Sequence, residues 1–101
     1  MPDREAPVTR DELKIATARR LHMVREVSGL GQGEFGRAAG LSASAYSMIE
    51  VGERLPSIES ALALCEAYKL SLDYIYRRIT DDLPPKLAAA IEALDQARRG
   101  P

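Results

Sequence analysis

The sequence predicts an all-α fold for a single domain. Apolar side chains recur every three or four residues in successive segments, which is the period of an α-helix with one buried face. Helix-capping residues precede most of these segments, and glycine or proline follows most of them. No segment alternates apolar and polar residues with the period of two that is typical of strands. A chain of 101 residues suits one domain with a small core.

The first helix is predicted to begin at a capping box. Thr9 and Glu12 have the T-x-x-E spacing in which the hydroxyl and the carboxylate each satisfy a free amide. Residues 1–8 before it are polar and contain two prolines, so we expect a flexible tail. The helix should end at Ser28-Gly29. Its inner face carries four residues at helical spacing: Leu13, Thr17, Leu21 and Val24.

Two short helices and then three further ones are expected. The second helix fits residues 32–39 and ends at Gly40, and Ser42 can cap a third that runs to about Val51. Ser57 and Ser71 are the corresponding caps of the fourth and fifth helices, and Pro85 suits the first turn of the last. The predicted inner faces are Ile58, Leu62, Cys65 and Tyr68 in the fourth, Leu72, Ile75, Tyr76 and Ile79 in the fifth, and Leu87, Ile91 and Leu94 in the last.

Composition argues against secretion, membrane insertion and catalysis. One cysteine, Cys65, allows no intrachain disulfide, and no apolar run is long enough to span a bilayer, so we expect a cytoplasmic protein. His22 has no second histidine or carboxylate at a ligand spacing that we recognise, and we expect Cys65 to be a packing residue. We therefore expect no metal, no cofactor and no enzymatic activity.

Three glycines raise the question of a nucleotide site. Gly31, Gly33 and Gly36 match the G-x-G-x-x-G spacing of dinucleotide-binding loops. Such a loop follows a strand, whereas the residues before Gly31 have a helical pattern and no second strand comes after it. We interpret the match as coincidental.

The residues from Gln32 onward instead fit the register of a helix-turn-helix, in which two glycines have a structural role. Gly36 is small enough to let the next helix approach the backbone, and Gly40 can take the positive φ of a tight turn. The inward positions of this register are apolar: Phe35, Ala39, Leu41, Tyr46 and Ile49.

Residues 15–75 resemble the lambda-repressor/Cro-like (XRE-type) helix-turn-helix family. The matching signals are Arg25, "GLGQ" at 29–32, "GRAAGLS" at 36–42, "MIEVGERLPS" at 48–57 and "LSLDYI" at 70–75. The resemblance implies a five-helix repressor-like domain over residues 9–80, with an additional C-terminal helix in an extension over residues 81–101. It also implies a bacterial or phage transcriptional regulator, most often a repressor, that binds double-stranded DNA as a homodimer with its third helix in the major groove.

The resemblance and the helical register together predict the DNA-binding residues. Gln32, Arg54 and Arg37 are candidates for phosphate contacts. Arg25 should pair with Glu50 and so hold the recognition helix. The outward residues of that helix are Ser42, Ala43, Ser44, Ser47 and Met48, which could contact base edges or could simply face solvent.

Two matters stay open at the level of sequence. Leu83, Leu87, Ile91 and Leu94 form a stripe that could join two copies of the chain or could fold back on its own domain. The net charge of −1 gives no general attraction to DNA, so a protein-interaction module, or an antitoxin that binds a toxin, is the rival function.

Overall fold

The computed structural model describes residues 9–100 as six helices. The predicted tail at residues 1–8 lies outside the described part of the chain. No strand occurs between residues 9 and 100, so the all-α prediction is confirmed. The helices are α1 (Arg10–Ser28), α2 (Gln32–Ala38), α3 (Ala43–Glu50), α4 (Ile58–Tyr68), α5 (Leu72–Arg77) and α6 (Pro85–Arg99).

Local sequence signals set the ends of α1. The backbone amide of Glu12 donates to Oγ1 of Thr9 at 3.0 Å, and Oε1 of Glu12 accepts from the backbone amide of Thr9 at 3.1 Å. At the other end Gly29 adopts φ 77°, and its amide donates to the carbonyl of Arg25. A left-handed residue of this kind ends a helix because it turns the chain away from the helical path. Both predicted boundaries of α1 are confirmed.

The turn between α2 and α3 depends on two glycines. Gly40 has φ 79°, which residues with a Cβ rarely adopt. Gly36 packs directly against α3, where a Cβ would lie only 2.7 Å from Cβ of Tyr46. Ser42 then caps α3, because its Oγ accepts from the amide of Ala45 at 3.1 Å. This turn fixes α3 against α2.

The core lies where the six helices meet. The rings of Phe35 and Tyr68 stack 4.0 Å apart with an angle of 7° between their planes, and the hydroxyl of Tyr68 donates to the carbonyl of Phe35 at 2.6 Å. Phe35 also contacts Tyr46 at a centroid distance of 5.1 Å. The aromatic residues therefore join α2, α3 and α4. The largest fully buried side chains are Tyr46, Phe35, Leu21, Leu64 and Ile75.

The predicted inner face of α4 is wrong at two positions. Ile58 and Leu62 are 74% and 52% exposed, whereas Ala61 and Leu64 are buried. The buried stripe is shifted around the helix because a small alanine, rather than the larger Ile58 and Leu62, meets the core. Cys65 and Tyr68 do pack against the core as expected.

The predicted face of α5 also needs correction. Tyr74 and Ile75 are buried, but Leu72 is 42% exposed. Arg78 adopts φ 64° and ends the helix, so Ile79 lies beyond it.

The last helix packs on its own domain. Leu83 and Ile91 are buried in the core, and Leu87 packs against it, with α6 lying along α1. Of the two alternatives that the sequence left open, this packing favours the fold-back for Leu83 and Ile91, since both side chains are buried. Leu94 remains half-buried. Ion pairs from Arg78 to Asp95 at 3.1 Å and from Arg98 to Glu26 accompany this packing.

Among residues 9–100, no helix has both the length and the apolar character that crossing a bilayer requires.

Candidate nucleic-acid interface

Helix α3 has one buried face and one face in solvent. Tyr46 and Ile49 are 0% and 2% exposed, which ties the helix to the core. The residues at its N-terminal end are exposed, and those one turn later are half-buried. An N-terminal end that stands free of the domain is the part of a recognition helix that meets base edges. The exposed residues are Ser42, Ala43 and Ser44, and the half-buried ones are Ser47 and Met48.

The exposed face of α3 is polar but uncharged. The Oγ of Ser42 accepts from Ala45 and lies 3.5 Å from the Oγ of Ser44. A hydroxyl that accepts a capping hydrogen bond still carries a proton that it can donate. Hydroxyl and methyl groups, rather than guanidinium or amide groups, are thus what α3 offers to a partner.

Helix α2, which packs against α3, carries Gln32 and Arg37. Gln32 is the half-buried first residue of the helix, and Arg37 is exposed in its last turn. Gly33 lies beneath the Arg37 side chain, since a Cβ there would be 3.5 Å from Nη1 of Arg37, an ordinary contact distance. The Arg37 side chain therefore runs back along α2 over Gly33.

The loop after α3 places Arg54. The amides of Glu53 and Arg54 both donate to the carbonyl of Met48, at 3.0 and 3.2 Å. Gly52 permits this tight return with φ 85°. The backbone of Arg54 is thereby fastened to α3, while its side chain is exposed.

Three side chains of α1 and α3 form a cluster of hydrogen bonds around Glu50. Nε and Nη2 of Arg25 each donate to a carboxylate oxygen of Glu50 at 2.8 Å. Nδ1 of His22 lies 2.7 Å from Oε2 of Glu50. Nη1 of Arg25 donates to the carbonyl of Leu30 at 3.0 Å, which adds the loop before α2. One carboxylate thus connects α1, α3 and this loop.

The cluster keeps Glu50 ionised. Its side chain is only 5% exposed, and burial alone would raise the pKa of this carboxyl. Hydrogen bonds from Arg25 and His22 outweigh burial and hold the pKa at about 2. The adjacent Tyr46 hydroxyl is buried and has no hydrogen-bond partner between residues 9 and 100; burial and the Glu50 carboxylate raise the pKa of Tyr46.

His22 was undervalued by sequence reasoning. Its Nε2 lies 3.1 Å from Oε2 of Glu26, four residues along α1, and its Nδ1 contacts Glu50. His22, for which the sequence suggested no ligand-type partner, therefore contacts two carboxylates. The i, i+4 spacing to Glu26 was readable in the sequence, but the approach of Glu50 depends on how α3 packs on α1.

No candidate metal or thiol site arises in the described part of the chain. No group of three or more His, Cys, Asp or Glu side chains is placed to bind a metal ion between residues 9 and 100. Cys65 is half-buried, and burial raises the pKa of its thiol, which disfavours the reactive thiolate.

One comparison with known proteins gives a match. A family model described as a helix-turn-helix domain matches residues 16–75, which is more than half of the chain. The matched segment runs from α1 to Ile75 in α5, includes the whole of α2 and α3, and leaves α6 outside. Searches of curated proteins and of solved structures gave no significant match.

Proposed function

Since the chain belongs to the helix-turn-helix domain family, we propose that it is a sequence-specific transcriptional repressor of the lambda-repressor/Cro-like type, acting in the cytoplasm. It binds double-stranded DNA as a homodimer, with α3 in the major groove of each half-site. We expect the bound dimer to repress by occluding a promoter.

The observation that most directly supports this proposal is how α3 is attached to the domain. Tyr46, Ile49 and Glu50 fasten the helix to the domain, while its N-terminal end is left exposed. A helix fixed on one side and free on the other can enter a groove without first rearranging. Such preorganisation avoids the entropic cost of ordering the helix on binding.

Each of these candidate residues has a chemical role in this proposal. Ser44 and Ser47 exchange hydrogen bonds with base edges, and Ala43 and Met48 contact thymine methyl groups. The hydroxyl of Ser42, which caps α3 by accepting from the amide of Ala45, donates its proton to a DNA phosphate. Gln32, Arg37 and Arg54 bind phosphates on either side of the groove.

Specificity should depend partly on DNA shape. Helix α3 has the sequence ASAYSMIE, which contains no Arg, Lys, Asn or Gln for a bidentate base contact. Each such contact is worth about 1–3 kcal/mol of discrimination. Without them, groove width and ordered water have to supply part of the selectivity.

The homodimer uses the solvent side of α6. Leu94 borders a surface groove together with small residues of α6 and with Glu26 and Val27 of α1. The small residues are Ala90, Ala93 and Ala97, which permit close helix contact. Two copies joined through this groove would present two recognition helices to successive turns of the duplex.

The second candidate is a protein-interaction module, such as an antitoxin. Ile58 and Leu62, one turn apart on α4, are largely exposed and could bind an apolar partner surface. The net charge of −1 is compatible with this reading.

Selection from a random duplex library separates the two functions. The repressor should enrich a motif, and binding to that motif by fluorescence anisotropy should weaken as salt rises. Ala43→Glu should abolish the preference, since it places a charge at the groove, while Ala67→Glu on the exposed side of α4 should not. A glutamate at the start of α3 also favours the helix, so lost binding would not reflect unfolding. Absence of any enriched motif, with equally weak binding to all duplexes, would favour the interaction module.

A further inference from the structure

An arginine-rich cleft lies between α1, α5 and α6. Its volume is about 580 Å³, which is within the range of small-molecule sites. Five arginines line it, against two carboxylates, so the lining has an excess of three positive charges in a chain whose net charge is −1. The arginines are Arg19, Arg20, Arg77, Arg78 and Arg99.

The carboxylates in and beside the cleft neutralise these arginines only in part: Arg77 contacts Asp73, which lies outside the lining, at 3.4 Å. Arg78 and Arg99 share one carboxylate, that of Asp95, at 3.1 and 3.0 Å. Arg19 is exposed and has no hydrogen-bond or ion-pair partner in the described part of the chain. Two guanidinium groups on one carboxylate leave donors that a further anion can occupy.

Within the cleft, the side chain of Arg20 is held in place by the protein. Its Nη1 donates to the carbonyl of Ile75 at 2.8 Å, which joins α1 to α5. The hydroxyl of Tyr74 lies 3.4 Å from the carbonyl of Arg20 and strengthens the same junction. Burial lowers the pKa of Arg20, and the nearby Arg78 lowers it further. A bound anion would relieve this repulsion.

The cleft also has an apolar wall. Ala16 and Met23 of α1 and Ile91 of α6 line it beside the arginines. A cavity with an apolar wall and several convergent charged groups suits an organic anion better than a bare ion. Ala16, Arg19, Arg20 and Met23 share one side of α1, which is nearly opposite the side that carries Arg25, since residues advance by about 100° along a helix.

We infer that this cleft is a binding site for a small diphosphate. A diphosphate carries about three negative charges at neutral pH, which can pair with the arginines that the carboxylates leave unneutralised. Guanidinium groups bind phosphate oxygens in bidentate geometry. The apolar wall would receive an organic group attached to the diphosphate. The site is separate from the DNA-binding face, because no residue of α2 or α3 lines the cleft.

Isothermal titration calorimetry with inorganic pyrophosphate and with adenosine 5′-diphosphate tests the site. The wild-type chain should bind one equivalent of pyrophosphate saturably, and tighter binding of adenosine 5′-diphosphate would identify an organic ligand. Arg19→Ala combined with Arg77→Ala should weaken binding by about tenfold or more, because two charge-assisted hydrogen bonds are lost. Arg10→Ala, an exposed arginine at the start of α1, should leave binding unchanged.

Nuclear magnetic resonance titration of the wild-type chain keeps the test independent of the folding of any variant. Pyrophosphate should shift the amide signals around Arg19, Arg77 and Asp95. Absence of saturable binding, or equal loss in the Arg10→Ala control, overturns the inference. So does a result in which the double variant loses duplex DNA binding while pyrophosphate never binds, since the arginines would then serve DNA.

Discussion

Arg25 and Glu50 make a bidentate ion pair across the α1–α3 junction, with both N–H···O distances at 2.8 Å. The two residues are separated by 25 positions in sequence, so the pair is a tertiary contact and not a local one. It is the charged part of the attachment of α3, beside the apolar part formed by Tyr46 and Ile49.

Arg25→Ala should lower the free energy of unfolding by about 3 kcal/mol, because it leaves the Glu50 charge buried without its main partner. Urea denaturation followed by circular dichroism measures this change. Arg99→Ala, which breaks an exposed pair with Asp95, serves as the control and should cost less than about 1 kcal/mol. Equal effects of the two substitutions would show that the Arg25–Glu50 pair contributes no more to the free energy of unfolding than an exposed ion pair.

Stability should fall in acid because of Glu50. Its folded-state pKa is about 2, against about 4.3 in an unfolded chain. A depressed carboxyl pKa stabilises the fold above the unfolded value, and that stability is lost as the pH falls through the folded value. The contribution is about 3 kcal/mol, fully present above a pH of about 4.5 and gone near pH 2. Denaturation series from pH 6 to 2 measure it, and Glu50→Gln should flatten the curve over this range.

Two glycines of α2 should respond oppositely to alanine. Gly36→Ala places a Cβ 2.7 Å from Cβ of Tyr46, and the resulting overpacking should cost about 1–3 kcal/mol. Gly33→Ala meets nothing closer than 3.5 Å and should stabilise the helix by up to about 1 kcal/mol. Thermal melts of the two variants give the comparison. A destabilised Gly33→Ala would mean that the Arg37 side chain cannot move aside.

Arg54 and Ser44 should affect DNA binding in different ways. Arg54→Ala should weaken binding to all duplexes and reduce the salt slope by about one, as expected for one lost phosphate contact. Ser44→Ala should leave the slope unchanged and relax the preference at one base-pair position. Anisotropy titrations on a selected motif and its single-base variants, at several salt concentrations, distinguish the two effects. An unchanged slope for Arg54→Ala would remove Arg54 from the interface.

The two sides of α6 should have separate roles. Ile91→Ala opens a cavity in the core and should cost about 2–5 kcal/mol. Ala93→Glu lies on the exposed side, and it should preserve stability while converting a dimer to a monomer in sedimentation velocity. A dimer that survives Ala93→Glu would place the interface elsewhere.

Helix positions were predictable because their signals are local. Thr9, Ser42, Ser57 and Ser71 each cap the helix that the sequence predicts, through a side-chain oxygen that accepts a backbone amide three residues later. Gly29 likewise ends α1 through its own φ. Such interactions involve only a few consecutive residues, so spacing alone reveals them.

The buried face of each helix and the contact partners of single side chains were harder to predict, because both depend on tertiary packing. On α4 the helical spacing of Ile58 and Leu62 suggested burial, but Ala61 is buried in their place. The apolar stripe on α6 could pack against a second copy of the chain or against α1, and helical periodicity does not show which of these two surfaces it meets. The contact of His22 with Glu50 likewise spans 28 residues and follows from the packing of α3 on α1.

The burial of Leu83 and Ile91 has a consequence for anyone who wishes to transplant this recognition module. A fragment cut after α5 would contain the whole family match, yet it would expose to water the apolar surface on which α6 packs. Chimeric regulators built from this chain should therefore be spliced beyond Arg99, with α6 carried along as part of the graft.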